Sequence, residues 1–186
     1  MFVTGKGGPA NGFDASPNNG STIYTHDQSL PGTLAQKYVP IVSLSTMQRS
    51  GMGFFLFSRG DRSLPDAYAR QITQPPFMNA PPYVITYTGT LFNGDVRVMV
   101  YRSNRPEDGD GFNLLGNPYP SPIRWGSLEK QNLSPFIWLF DPVNNSYRST
   151  DDPDEIIPMG TGFFVRVVEG ERSGSVLFTE NAKVAP

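Results

Sequence analysis

Cysteine is absent from this 186-residue chain, and histidine occurs once. Without cysteine there is no disulfide framework and no thiol nucleophile, and a zinc site would need mostly carboxylate ligands. The single histidine, His26, is followed at once by Asp27, and neighbouring residues of a strand point to opposite faces, so the two cannot form a catalytic pair there. Little is left from which to build catalytic chemistry, and we expect no enzymatic activity.

The chain also lacks a strong charge of either sign and any long apolar run. Its 15 basic and 17 acidic residues leave a net charge of −2 with no basic stripe, which argues against nucleic-acid binding. The longest apolar runs, at residues 54–57 and 136–140, are far too short to cross a bilayer, so no membrane insertion is expected. The start has no basic segment followed by an apolar one, and we expect any export signal to lie upstream, with Met1 an expression start.

Glycine, proline and aromatic residues are abundant instead. The 19 Gly and 18 Pro exclude long helices, and the 13 Phe and 8 Tyr supply apolar surface for a packed interior. Residues 96–102 alternate polar and apolar side chains, the period of a sheet with one wet face. Short apolar segments separated by turn residues therefore predict an all-β chain, an antiparallel, jelly-roll-like β-sandwich, with helical turns only at 32–37, 65–72 and 127–132.

One six-residue segment occurs twice. Residues 51–56 (GMGFFL) match residues 160–165 (GTGFFV), and weaker matches flank both segments. This pattern indicates a degenerate internal duplication, with a first pseudo-repeat at about 1–100 and a second at about 101–186. Because two copies can bury their apolar faces on each other, we expect residues 1–186 to form a single co-folded module, with Phe54 and Phe163 in matching environments.

Residues 111–123 (GFNLLGNPYPSPI) resemble a segment of large secreted Bacteroidetes proteins, many of which carry a type IX secretion signal. In that family the segment is followed by a strand like residues 137–141 and then by a stretch like residues 158–165, and both are present in that order. With the upstream half, residues 51–57 and 88–96, the likeness covers roughly residues 38–182.

The resemblance implies an accessory β-sandwich module on the cell surface or outside the cell, without catalytic residues. Two departures matter. Arg124 stands where the family often has an acidic residue before Trp125, so no role of that acid is transferred. No sorting signal follows residue 183, and we expect the chain to be an internal module of a longer protein.

The prolines in residues 117–122 fix extended backbone and predict a rigid corner, in which Asn117 bonds neighbouring backbone groups. Ligand contact by Tyr119, Trp125 or Tyr147 is the alternative, because exposed rings stack on sugar faces. We expect Trp125 to be accessible beside the corner and Trp138 to be buried in an apolar strand. The wider set of candidate sugar-binding rings is Trp125, Trp138, Tyr119, Tyr147, Tyr24 and Tyr68.

Two acidic loops, at residues 107–111 and 151–155, offer hard oxygen ligands for calcium. The candidate ligands are Asp108, Asp110, Asp151, Asp152 and Asp154. Neither loop has the twelve-residue calcium-binding pattern, and solvated acidic turns are the alternative. No other cofactor is expected.

Together these patterns predict a non-catalytic structural or adhesive module of a secreted or surface-anchored multidomain protein. Its expected partners are other domains of the same polypeptide. The alternative is a carbohydrate-binding module that takes an extracellular polysaccharide. A binding module should leave two or three rings exposed and roughly coplanar, whereas a structural module should bury them.

Overall fold

The computed structural model describes residues 2–46, 48–57, 60, 90–106, 109–141, 144 and 146–184. Across those ranges the regular structure consists of β-strands and short 3-10 turns, without an α-helix. The prediction of an all-β chain is confirmed. The strands are β1 (Ile23–His26), β2 (Tyr38–Pro40), β3 (Phe55–Leu56), β4 (Val96–Tyr101), β5 (Phe112–Gly116), β6 (Ile123–Arg124), β7 (Glu129–Gln131), β8 (Leu133–Asp141), β9 (Ser146–Thr150), β10 (Ile156–Ile157), β11 (Gly162–Val167) and β12 (Ser173–Phe178).

The chain divides into two compact units, each built from segments that are distant in sequence. The first comprises Met1–Tyr24, Pro40–Met47 and Phe55–Gly89. The second comprises Thr25–Val39, Gln48–Phe54 and Thr90–Pro186. That residues 1–186 fold as one cooperative module stays a prediction, as do the pseudo-repeat boundaries.

The first unit has a small apolar core. Ile23 of β1 pairs with Leu56 of β3, and the buried residues are Val3, Phe13, Ile23 and Ile41. Thr4 and Thr22 are buried beside this core, where the Thr4 amide donates to the Thr22 hydroxyl at 3.0 Å.

The two larger antiparallel sheets of the second unit share one core, as in a sandwich, and a third, two-stranded sheet pairs β10 with β6. The four-stranded sheet has the order β5-β11-β8-β9, and the three-stranded sheet has the order β4-β12-β7. Alternate side chains of these strands point to the shared core, which is the arrangement that the period of two predicts. Phe163 of β11 meets Phe178 of β12 there, with ring centroids 6.4 Å apart. The residues that these two sheets contribute to the core are Val98, Val100, Leu115, Ile137, Leu139, Phe163, Val165, Val167, Val176 and Phe178.

The two copies of the Gly-x-Gly segment lie on opposite edges of β5. On one edge the Gly53 amide donates to the Leu114 carbonyl at 3.1 Å, and on the other Gly162 pairs with Gly116. A Cβ atom on Gly53 would lie 2.4 Å from the Leu115 carbonyl oxygen, so only glycine permits this approach. The phenylalanines that follow differ: Phe54 is 44% exposed and Phe163 fully buried, so the expectation of matching environments is wrong. The jelly-roll topology and the duplication stay predictions.

The helical turns predicted from sequence are only partly present. Residues Leu34–Lys37 form a 3-10 turn that a Thr33/Gln36 capping box begins. In the stretch 127–132 only Ser127 belongs to a 3-10 turn, Trp125–Ser127, and β7 follows it and pairs with β12. The third predicted turn, at 65–72, lies outside the described residues.

Candidate functional site

The proline-rich corner after β5 is held by the side chain of Asn117. Its amide nitrogen donates to the carbonyls of Ser121 at 2.8 Å and of Ile157 and Pro158 at 3.2 Å each. Its carbonyl oxygen accepts from the Tyr119 amide at 3.0 Å. Because a chain with alternating prolines offers few N–H groups, one buried amide side chain replaces the missing ladder bonds.

Tyr119 is buried at this corner rather than presented to a ligand. It is 2% exposed, and its hydroxyl donates to the Gly94 carbonyl at 2.9 Å. The ammonium of Lys183 lies 4.5 Å from its ring centroid. Burial, with the nearby negative charges of Glu180 and Asp95, raises the pKa of Tyr119 to about 12, so the hydroxyl stays protonated as a donor.

Trp125 is also buried, and the expectation that it is accessible is wrong. It is 2% exposed, its indole N–H donates to the Pro135 carbonyl at 3.2 Å, and its ring packs against Phe163. The ammonium of Lys130 lies 4.4 Å from the ring centroid, and burial lowers the pKa of this lysine. The cause is local: the 3-10 turn Trp125–Ser127 directs the ring back toward the core instead of continuing outward from the corner.

The acidic residues predicted as calcium ligands do not gather at one place. Asp151, Asp152 and Asp154 are exposed, and Asp154 pairs with Arg124 at 2.5 Å. Asp108 lies outside the described residues. Within the described ranges no group of three or more Asp, Glu or His side chains is placed to hold a metal ion. Arg124 thus neutralises part of one acidic loop.

Asp110, one of the predicted calcium ligands, is fully buried and therefore does not lie in a solvated acidic turn, which was the alternative. One carboxylate oxygen accepts from the Gln28 amide at 2.8 Å and from the Ser103 amide at 3.0 Å. The other accepts from the Arg105 amide at 3.1 Å and pairs with the Arg102 guanidinium at 3.1 Å. A calcium ion at Asp110 would have to displace these donors. Through its bonds to them, the Asp110 side chain ties the loop at 102–105 to Gln28.

The outer face of the four-stranded sheet, opposite the shared core, carries a cluster of aromatic rings. Phe164 lies at its centre and is fully buried, with edge-to-face contacts to His26 at 4.9 Å, Tyr147 at 5.5 Å and Tyr38 at 6.5 Å. The hydroxyls of Tyr38 and Tyr147 share a hydrogen bond of 2.8 Å. Tyr147, a predicted ligand residue, is therefore partly buried, and burial raises its pKa.

His26 is buried over this cluster without polar contacts. Neither ring nitrogen has a hydrogen-bond partner within the described part of the chain, and the Asp27 carboxylate bonds Ser29 instead. Burial, assisted by the charge of the fully buried Lys37 and opposed by that of Asp27, lowers the pKa of His26 to about 4. The imidazole is neutral at pH 7 and packs as an aromatic ring rather than serving as a base.

Along β8 the outer face is partly exposed to solvent. Phe136 is 40% exposed and Phe140 is 37% exposed, and Trp138 lies between them, partly buried. We call these three residues the aromatic strip. Trp138 makes an edge-to-face contact with Phe112 at 4.7 Å and is tilted by 43° from Phe136. The predicted contrast between an accessible Trp125 and a buried Trp138 is thus reversed.

Sequence reasoning missed Phe136 and Phe140 as accessible rings. The signal was present in residues 136–140, where aromatic and aliphatic side chains alternate, with the aliphatic ones on the core face. Of the other candidate rings, Tyr24 is partly buried with its hydroxyl on the Ser21 carbonyl at 2.8 Å. Tyr68 lies outside the described residues.

Comparison of this chain with protein-family models, with curated proteins and with solved structures finds no match. In the ranges that the structure describes, no helix has the length and apolar character needed to cross a membrane.

Proposed function

We propose that this chain is a non-catalytic structural module of a secreted or surface-anchored multidomain protein, where it spaces or displays other domains. The observation that carries the proposal is the hydrogen bonding of the side chains of Asn117, Tyr119 and Trp125. Each polar group of these side chains bonds a backbone group of the same unit. Side chains whose polar groups are bonded in this way hold the corner together and present no polar group to a ligand.

The extracellular location in the proposal rests on the resemblance of residues 111–123 to secreted Bacteroidetes proteins. Its partners are the neighbouring domains of the same polypeptide. Protease treatment of intact cells that make the full-length protein tests the location. Loss of the module's immunoblot signal without lysis supports a surface position, and full protection of the module contradicts it.

Replacement of Asn117 tests the structural role of the corner. Asn117→Ala leaves four backbone groups without their partner, and we expect it to lower the free energy of unfolding by about 1–3 kcal/mol. Urea denaturation followed by tryptophan fluorescence measures this loss. Asn181→Ala is the matched control, because Asn181 is exposed in a 3-10 turn, and it should change stability by less than about 0.5 kcal/mol.

A stable Asn117→Ala variant would contradict the structural assignment. Residues kept for binding are commonly neutral or even unfavourable for stability, so replacing them leaves the unfolding midpoint unchanged or raises it. Equal unfolding midpoints for Asn117→Ala, Asn181→Ala and the unmodified chain would therefore return the corner to the ligand-binding interpretation.

A further inference from the structure

The aromatic strip combines apolar rings with solvent exposure in a way that the structural role does not require. Phe136, Trp138 and Phe140 occupy alternate positions of β8, while Ile137 and Leu139 between them fill the core. The outward positions of this strand from 136 to 140 are all aromatic and none is aliphatic. Aromatic rings differ from aliphatic side chains in offering a flat, electron-rich face, onto which the C–H groups of a sugar ring stack.

The outward positions of β8 and β9 beside the strip carry hydroxyl groups and no charge. Ser149 of β9 pairs with Trp138 and is exposed, so its hydroxyl stands beside the central ring. Arg166 of β11 shares this face, but its guanidinium lies 4.8 Å from the Phe112 centroid and its Nε donates to the Asp110 carbonyl at 3.2 Å. Arg166 keeps its charge, but these contacts hold it against Phe112 on the far side of β11 from β9, so the outward positions of β8 and β9 themselves match an uncharged partner.

We propose that the aromatic strip binds a single chain of an uncharged polysaccharide. Phe136 and Trp138 stack on successive sugar faces, and the Ser149 hydroxyl bonds a sugar hydroxyl beside Trp138. The step is binding alone, with no bond made or broken. This inference goes beyond the proposed structural function, which depends on the corner at Asn117 and is tested separately by Asn117→Ala.

The tilt between the rings selects the form of the polysaccharide. The planes of Phe136 and Trp138 differ by 43°, with centroids 6.4 Å apart. Neighbouring rings with this tilt are not coplanar, which differs from the arrangement expected of a binding module from the sequence, so they do not match the planar surface of a crystalline polysaccharide. They suit a dissolved chain, whose successive sugar faces turn relative to one another.

Affinity electrophoresis of the intact 186-residue chain tests the proposal. Native gels would contain one of four uncharged soluble polysaccharides: mixed-linkage β-glucan, xyloglucan, glucomannan or hydroxyethylcellulose. We expect at least one of them to retard the chain. Phe136→Ala should weaken that binding about tenfold, the loss of one ring stack of up to about 1.5 kcal/mol, and Ser149→Ala should weaken it less.

Met99→Ala is the matched control, because Met99 is an exposed apolar residue of the three-stranded sheet, and it should bind like the unmodified chain. The unfolding midpoint of each variant confirms that it is folded. Since Phe136 is 40% exposed, its replacement should lower the midpoint only slightly, and the variant should remain folded. Trp138→Phe keeps a ring at the central position and should retain most of the binding.

Four outcomes would overturn the proposal. They are the absence of retardation by all four polysaccharides, unchanged binding by Phe136→Ala, retardation by anionic polygalacturonate alone, and binding to crystalline cellulose as strong as to dissolved chains. Sedimentation analysis provides a further test. Concentration-dependent dimerisation that Phe136→Ala abolishes would assign the strip to contact with a second copy of the chain, and this result would also overturn the proposal.

Discussion

The two faces of β8 carry equally apolar side chains but differ in what covers them. Ile137 and Leu139 are buried between the two sheets, whereas Phe136 and Phe140 on the opposite face are exposed. On the next strand, β11, the same outer face is fully covered at Phe164 by His26 and the tyrosine pair. Apolar character on both faces of a strand thus predicts burial only where another segment is present to cover each face.

This difference separates the positions that hold the fold from those that are available for contact with a partner. The core face is apolar and buried, and the corner at Asn117 pairs its polar groups with partners in the same unit. The outer face of β8 leaves rings in water, at the cost of exposed apolar surface. Three predictions distinguish these regions, and they are ordered by the size of the expected effect.

The largest effect concerns the two tryptophans. Trp125→Ala should lower the free energy of unfolding by about 3–5 kcal/mol, because it empties a buried site and leaves the Pro135 carbonyl without its donor. Trp138→Ala should cost about 1–2 kcal/mol, since part of that ring already lies in water. Urea unfolding of both variants by circular dichroism measures the two losses. A greater loss for Trp138→Ala would reverse the assignment of the two faces.

The second effect tests the covered half of the outer face through pH. Burial lowers the pKa of His26 from its ordinary value of 6.5, which applies to the unfolded chain, to about 4 in the folded protein. The unfolded chain therefore binds a proton at His26 more tightly than the folded protein does. The contribution of His26 to the free energy of unfolding is complete above pH 6.5 and is lost progressively as pH falls toward 4. Between pH 7.5 and pH 5 we expect a loss of about 2 kcal/mol.

His26→Phe is the control for this titration, because it keeps an aromatic ring against Phe164 and removes the proton site. Carboxylates titrate alike in both proteins, so the difference between the two stability curves isolates the histidine. Urea unfolding at half-unit pH steps gives these curves. Parallel curves for the unmodified chain and the variant would show that His26 is accessible to solvent in the folded protein.

The smallest effect is expected at the solvent-exposed ion pair between Arg124 and Asp154. Both side chains keep much of their surface in water, so solvent screens their attraction. Arg124→Ala should therefore change the free energy of unfolding by no more than about 0.5 kcal/mol. The comparison of Arg124→Ala with Trp125→Ala contrasts two neighbouring positions, of which the first is exposed and the second is buried. A loss above about 2 kcal/mol would mean that Arg124 holds the acidic loop in place.

The sequence predicted the strands better than their surroundings. Alternation located β4 and β11, because side-chain direction in a strand follows from the backbone alone. The orientation of Trp125 depends on the 3-10 turn that follows the corner, and the partners of Asp110 include Gln28, far away in sequence. Neither long-range nor turn-dependent contacts appear in a local pattern, so the sequence did not show that the rings of Tyr119 and Trp125 are both buried.

The polar residues of the corner were predicted more successfully. The proline pattern indicated that Asn117 would bond backbone groups, and its amide does so with the carbonyls of Ser121, Ile157 and Pro158. The sequence did not indicate which strand would remain open, because that depends on how much of the outer face residues 25–39 cover. The aromatic strip therefore emerged only from the three-dimensional arrangement.

The accessibility of the two tryptophans tests the central claim most directly. Trp125→Phe leaves Trp138 as the only tryptophan, and Trp138→Phe leaves only Trp125. Quenching of their fluorescence by acrylamide then reports the exposure of each ring separately. We predict a quenching constant several-fold larger for Trp138 than for Trp125. A Trp125 quenched as readily as Trp138, or more readily, would contradict both the buried corner and the open outer face.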